Sequence, residues 1–176
     1  GWCFCVFFSC AARETALLVQ TILRSVLATP ALQDLRARLE KGGGLSFAGV
    51  HPAAQPFFAF ALRELFVDRP FVVVTEGVKA QESFQQDLET WFALAGREGA
   101  RKVAKSETGQ APLFYPSWEI LPHESRLPHA DVISERLQTL VTLSTGGRAE
   151  MIVTNVTALL QRTFPADALG TSTRVF

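Results

Sequence analysis

The run Phe71-Val72-Val73-Val74-Thr75 carries no polar alternation. A strand with one wet face alternates apolar and polar residues. An unbroken β-rich run suits a central parallel strand covered on both faces. Helices must then supply the cover, and the surrounding pattern provides them.

Downstream of Gly42-Gly43-Gly44 the sequence alternates. Leu45 to Val50 reads as a strand. Ala53 to Phe66 is a nearly all-apolar helix, expected to be buried on several sides. Val78 to Ala95 is an amphipathic helix with Phe84, Leu88, Trp91, Phe92 and Ala95 at helical spacing. A polar loop follows over 96–110. Leu113-Phe114-Tyr115 is a short strand stopped by Pro116. Asp131 to Leu143 is a helix that turns Ile133, Leu137, Leu140 and Val141 inward, with Asp131 as its N-cap. Met151-Ile152-Val153 is another buried strand. Asn155 to Phe164 is a helix with Val156, Leu159 and Leu160 apolar, and Thr171 to Phe176 begins a further strand. Strands and helices in alternation predict an α/β fold: a parallel sheet with helices on both faces, joined by right-handed crossovers.

Upstream, Arg13 to Ala28 has a helical pattern that includes Leu17, Leu18 and Leu27. Pro30 interrupts it, and Ala31 to Lys41 places Leu32, Leu35 and Leu39 on one face. Residues 1–40 are thus set apart from an α/β domain over 41–176. With 176 residues and 48% hydrophobic content, the chain suits one domain of ordinary size, or one domain with a loose end.

Residues 1–12 are apolar and uncharged and do not begin with Met. A membrane span needs ~20 apolar residues, and Arg13 and Glu14 end this run early. It lacks the basic start of a signal peptide. The segment is expected to mark a fragment, or translation begun upstream of the true start. Cys3, Cys5 and Cys10 all lie inside it. That distribution is not a disulfide framework, and it fits a reducing cytoplasm.

Ligands of open α/β sheets bind at the carboxyl ends of the strands. The loop after the first expected strand is therefore informative. A phosphate-binding loop reads G-x-x-x-x-G-K-[ST]: backbone N–H groups cradle phosphate, Lys neutralises it, and Ser/Thr holds magnesium. Here the slot reads Ala48-Gly49-Val50-His51-Pro52-Ala53-Ala54-Gln55-Pro56. Only Gly49 remains of the motif. His51 and Gln55 supply neither Lys nor hydroxyl, and Pro52 and Pro56 each remove a donor. No catalytic residue, cofactor site or metal site is expected in this chain. His123-Glu124 with His129 and Asp131, and Cys3 and Cys5 with Cys10, are poor metal sets, because neither has ligands fixed by regular spacing. Arg97, Arg101, Lys102 and Lys105 form a Gly-punctuated run without aromatic residues, so a solvated loop is expected there. Lys+Arg and Asp+Glu both number 17, so the basic excess of a stand-alone nucleic-acid binder is missing.

One string is specific. Phe114-Tyr115-Pro116-Ser117-Trp118-Glu119-Ile120-Leu121-Pro122-His123-Glu124 is followed by Pro128-His129-Ala130-Asp131-Val132-Ile133-Ser134-Glu135-Arg136-Leu137. It resembles the F-P-x-W-E-x-L-P … P-H-x-D-[IV]-I-S-x-R-L signature of the bacterial transcription-repair coupling factors (Mfd), in their amino-terminal UvrB-like module. Ile152 to Arg162 resembles the next strand-helix unit of that family, which ends in Gln161-Arg162. The resemblance covers about Leu45 to Pro165 and rests on Trp118, Glu119, Pro122, His129, Asp131, Ser134, Arg136, Gln161 and Arg162.

The resemblance implies a degenerate RecA-like, P-loop NTPase-like helicase fold whose nucleotide site has decayed. It implies a parent that is an ATP-dependent DNA translocase using ATP and magnesium. That parent works in the cytoplasm on double-stranded DNA, displaces stalled RNA polymerase and recruits UvrA. The chain itself would be a non-catalytic interaction module. By the resemblance, Phe71 to Gln81 sits where working helicases touch the DNA backbone, although Thr75 as a helix cap and Lys79 as a solvated lysine account for that stretch. UvrB carries a long aromatic hairpin after its F-P strand, whereas only Ser117 to Ala130 spans that gap here. Two other readings stay open: a helicase-type ATPase domain with weak, atypical nucleotide binding, and a free-standing α/β domain of unrelated role.

Overall fold

The computed structural model describes residues 4–95, 112–118, 120, 127–145, 149–165 and 169, with side chains from residue 14 onward. The chain divides into two compact units, residues 1–67 with 87–98, and residues 68–86 with 99–176.

In the first unit, α1 runs Phe4–Leu27 and α2 Pro30–Lys41. Helix α1 reaches further forward than the expected start at Arg13, since no Pro or Gly interrupts residues 4–27. Val19 and Leu23, one turn apart, are its buried positions, while Leu17 and Leu18 face out. In α2, Leu32 and Leu35 are buried and Leu39 half-buried, as the spacing predicts. Gly42 ends α2 at φ 77°, a left-handed conformation that glycine adopts without strain.

Residues 45–50 form no strand. The expectation there fails because an extended segment becomes a strand only when a neighbour takes its backbone groups. Instead Phe47 packs on Phe58 with ring centroids 5.8 Å apart. A 3-10 turn over Pro52–Ala54 then leads into α3, Gln55–Leu65. Phe60 and Ala61 of α3 are fully buried, and no residue from Pro56 to Phe66 is exposed. Residues of the later part of α4 (Val78–Leu94) close this core, with Phe57 against Trp91 at 4.7 Å and Phe60 against Phe92 at 5.2 Å.

The second unit holds a three-stranded parallel sheet: β1 Phe71–Thr75, β2 Leu113–Tyr115 and β3 Met151–Asn155, in the order β1-β3-β2. The start of α4 follows β1. Helix α5, Ala130–Ser144, lies between β2 and β3 in sequence, and α6, Val156–Leu160, follows β3. The protein is therefore α/β, with a small parallel sheet. Position in the sheet corrects the reading of β1: it is an edge of the described sheet, and Val72 and Val74 are 57% and 48% exposed. The central strand is β3, in which all five residues are buried. Strand β3 runs two residues beyond the expected Val153, because Thr154 and Asn155 pair in register with Val74 and Thr75.

Helix α5 starts at Ala130 with His129, not Asp131, as its N-cap. His129 has non-helical backbone angles (φ −58°, ψ 141°), and its side chain makes no cap hydrogen bond. Asp131 falls in the first turn, where its charge complements the helix dipole. Helix α6 stops at Leu160 rather than Phe164, and its apolar Val156, Leu159 and Leu160 are exposed. The expected strand at 171–176 and the loop at 96–110 lie outside the described residues. Among the described residues no single helix is long and apolar enough to cross a membrane.

Candidate functional site

Two places bear on ligand binding, the slot expected to hold phosphate and the carboxyl edge of the sheet. The first is the entrance to α3. Gly49 keeps a positive φ of 91°. His51 is exposed, and its Nδ1 accepts a hydrogen bond from the Ala53 N–H at 3.3 Å. The Ala54 N–H donates to the His51 carbonyl at 2.8 Å, and the Gln55 N–H donates to the Pro52 carbonyl. Pro52 and Pro56 have no N–H. Every amide from Pro52 to Pro56 is thus absent or already donated. A phosphate cradle needs these donors to point at the ligand, and here they turn back on the chain.

The second place is the carboxyl edge of the sheet in the second unit. It is filled by side chains. Gln81, on the second turn of α4, is fully buried. Its Nε2 donates to the carbonyls of Tyr115 at 3.1 Å and Val153 at 2.9 Å. Its Oε1 accepts from Asn155 Nδ2 at 2.6 Å. Asn155 ends β3 and caps α6: its Oδ1 accepts from the Ala158 N–H at 2.8 Å. Thr154 Oγ1 adds a second donor to the Tyr115 carbonyl at 2.9 Å. The Thr75 hydroxyl lies 3.2 Å from the carbonyls of Gly77 and Thr154, which ties the end of β1 to the same edge.

Arg136 reaches this edge from α5. It is 1% exposed. One guanidinium nitrogen donates to the Pro116 carbonyl at 2.6 Å and another to the Tyr115 hydroxyl at 2.7 Å. Its carbon lies 4.2 Å from the Tyr115 ring centre and 4.3 Å from that of Trp118. Burial lowers its pKa from the ordinary arginine value, and the Tyr115 hydroxyl partly offsets this. Thr139, one turn on, donates to the Phe114 carbonyl at 3.0 Å. Gln161 brackets the backbone of Trp118: its Oε1 accepts from the Trp118 N–H at 2.6 Å, and its Nε2 donates to the Trp118 carbonyl at 3.3 Å. The indole N–H of Trp118 points to the Arg162 carbonyl at 3.5 Å.

The string that carries the resemblance therefore divides. Trp118, Arg136, Gln161 and the Arg162 carbonyl meet at one place. His129, Asp131 and Ser134 lie on the exposed start of α5, with His129 Nδ1 3.2 Å from Asp131 Oδ2. Glu119 and Pro122 lie outside the described residues, as do His123, Glu124 and the basic run from Arg97 to Lys105. Lys79 is exposed. Among the described residues no three His, Cys, Asp or Glu side chains form a metal-holding group. Gln81, Ser117, Thr154 and Asn155 stand outside the expected site set. The signal that marks the last two is a pair of polar residues closing an apolar strand run.

Comparison with known proteins bears on the same chain. It is 45% identical over 62 residues to a transcription-repair-coupling factor of Escherichia coli (strain K12), a match covering 35% of this chain and 5% of that protein. It is 30% identical over 54 residues, 31% of the chain, to the protein of that name from Rickettsia prowazekii. It is 27% identical over 94 residues, 50% of the chain, to that of Rickettsia typhi. The chain spans 5–8% of the length of these curated relatives. No protein-family model matches. The chain is thus similar, over part of its length, to transcription-repair-coupling factors, which links it to DNA repair.

Proposed function

We propose that this chain is part of the UvrB-like front module of a transcription-repair coupling factor, and that it serves there as a non-catalytic interaction and regulatory module. Its sheet would be a decayed relative of the RecA-like helicase core. ATP, magnesium, double-stranded DNA, RNA polymerase and UvrA would be ligands and partners of the whole parent, which would translocate on DNA and displace the stalled polymerase. The observation that carries the non-catalytic reading is the α3 entrance. From Pro52 to Pro56 no amide is free for phosphate, and the slot holds neither Lys nor a hydroxyl.

Calorimetric titration of the chain with ATP and magnesium tests this reading. No saturable heat is expected up to millimolar nucleotide. Micromolar binding, lost when residues 49–56 are replaced, would overturn it in favour of an atypical ATPase domain.

A further inference from the structure

After β2 the chain does not run free. Pro116 is held by Arg136, Ser117 by Asn155 and Trp118 by Gln161, so three side chains from separate places grip three consecutive residues. Pro116 and Ser117 are buried and Trp118 is half-buried. Asn155 is the last residue of β3, and Gln161 directly follows α6. The segment therefore passes beside the exit of β3, the edge where parallel α/β sheets take their ligands.

We propose that residues 116–118 form a strap that seals the carboxyl ends of β2 and β3 with the chain's own groups, and that Arg136 is the positioning residue that keeps it shut. The case rests on the guanidinium. Among the described residues its hydrogen-bond partners are neutral oxygens, and its Nε is buried without an acceptor. A buried cation without an acid partner is costly. What offsets the cost is shape: a flat cation fits between two aromatic faces while its edge reaches a carbonyl and a phenol. A lysine has the charge but neither the plane nor the second fixed donor. Closure of the strap thus depends on arginine itself. The proposal stands on these side chains and does not depend on the parent's activity.

Hydrogen exchange read by mass spectrometry on the whole chain tests it. The Trp118 N–H, donated to Gln161, reports the strap, and the amides of 152–154 report the sheet. In Arg136→Lys the Trp118 amide is expected to exchange about tenfold faster or more, with the β3 amides unchanged within about twofold. Wild-type protection in the lysine variant would overturn the proposal, because a point charge would then suffice. Equal acceleration of Trp118 and β3 would also overturn it, because Arg136 would then support only the fold as a whole. Gln161→Ala loosens the strap from its other side and carries the same test should the Arg136 variant fail to fold. No change at Trp118 in that variant would likewise overturn the proposal.

Discussion

At the scale of single residues, the most consequential group is a neutral amide. Asn155 donates to Gln81 and accepts from Ala158, so one side chain both closes the strand-end network and starts α6. Asn155→Ala removes the cap and strands a buried acceptor on Gln81. Together these should cost about 2–4 kcal/mol, read as a fall in the urea midpoint at unchanged slope. Asn155→Asp keeps the cap acceptor but turns a carboxylate toward Gln81 Oε1 in a site with no exposure, so it should be no better than alanine. Arg136 behaves differently with pH. Its folded pKa is lowered from the ordinary value, so the unfolded chain holds the proton to higher pH. Stability tied to it then rises with pH only above the folded pKa. Near neutrality both states are charged, and no slope from Arg136 is expected in a pH series of unfolding midpoints.

At the scale of elements, β1 and β3 look alike in sequence and differ in place. Val72 is half exposed on the edge strand, whereas Val153 is fully buried in the centre. Val153→Ala should therefore cost about 2 kcal/mol, and Val72→Thr should stay within about 0.5 kcal/mol, both measurable by chemical denaturation. The contrast shows what was legible in the residues. The bounds of β1 and β2 follow from apolar runs ended by Glu76 and Pro116. Helix α4 follows from its periodicity to within a residue. The order β1-β3-β2 could not be read that way, because which strand lies in the middle depends on pairing between distant segments. The failed strand at 45–50 has the same cause. At the α3 entrance, the sequence shows Pro52, Pro56 and the missing Lys, but not that the Ala53, Ala54 and Gln55 amides turn back on the chain. Nor was the role of Arg136 legible, because a charged residue on an amphipathic helix looks solvated until its ring partners arrive from 21 and 18 residues upstream.

At the scale of the whole molecule, the balance of 17 basic and 17 acidic residues decides what the chain can hold unaided. Duplex DNA is bound chiefly by neutralising phosphates. Each neutralised phosphate adds about −0.9 to the slope of log K against log salt. A chain of zero net charge has no uniform field to draw DNA in, so affinity would need a local basic face. A basic run of four, Arg97, Arg101, Lys102 and Lys105, lies beside Glu98 and Glu107. Those two acids oppose it, and no aromatic residue stands among the four to stack on a base. Fluorescence anisotropy with a short duplex between 50 and 200 mM salt, about the range in which phosphate contacts show, should therefore give weak binding with a nearly flat salt slope. A slope of about −3 or steeper, flattened by changing those four residues to glutamine, would mean that the cluster tracks phosphates. The interaction-module reading would then give way to a DNA-guiding one. A flat slope leaves DNA to the rest of the proposed parent, in keeping with a sheet whose ligand edge is closed by its own side chains.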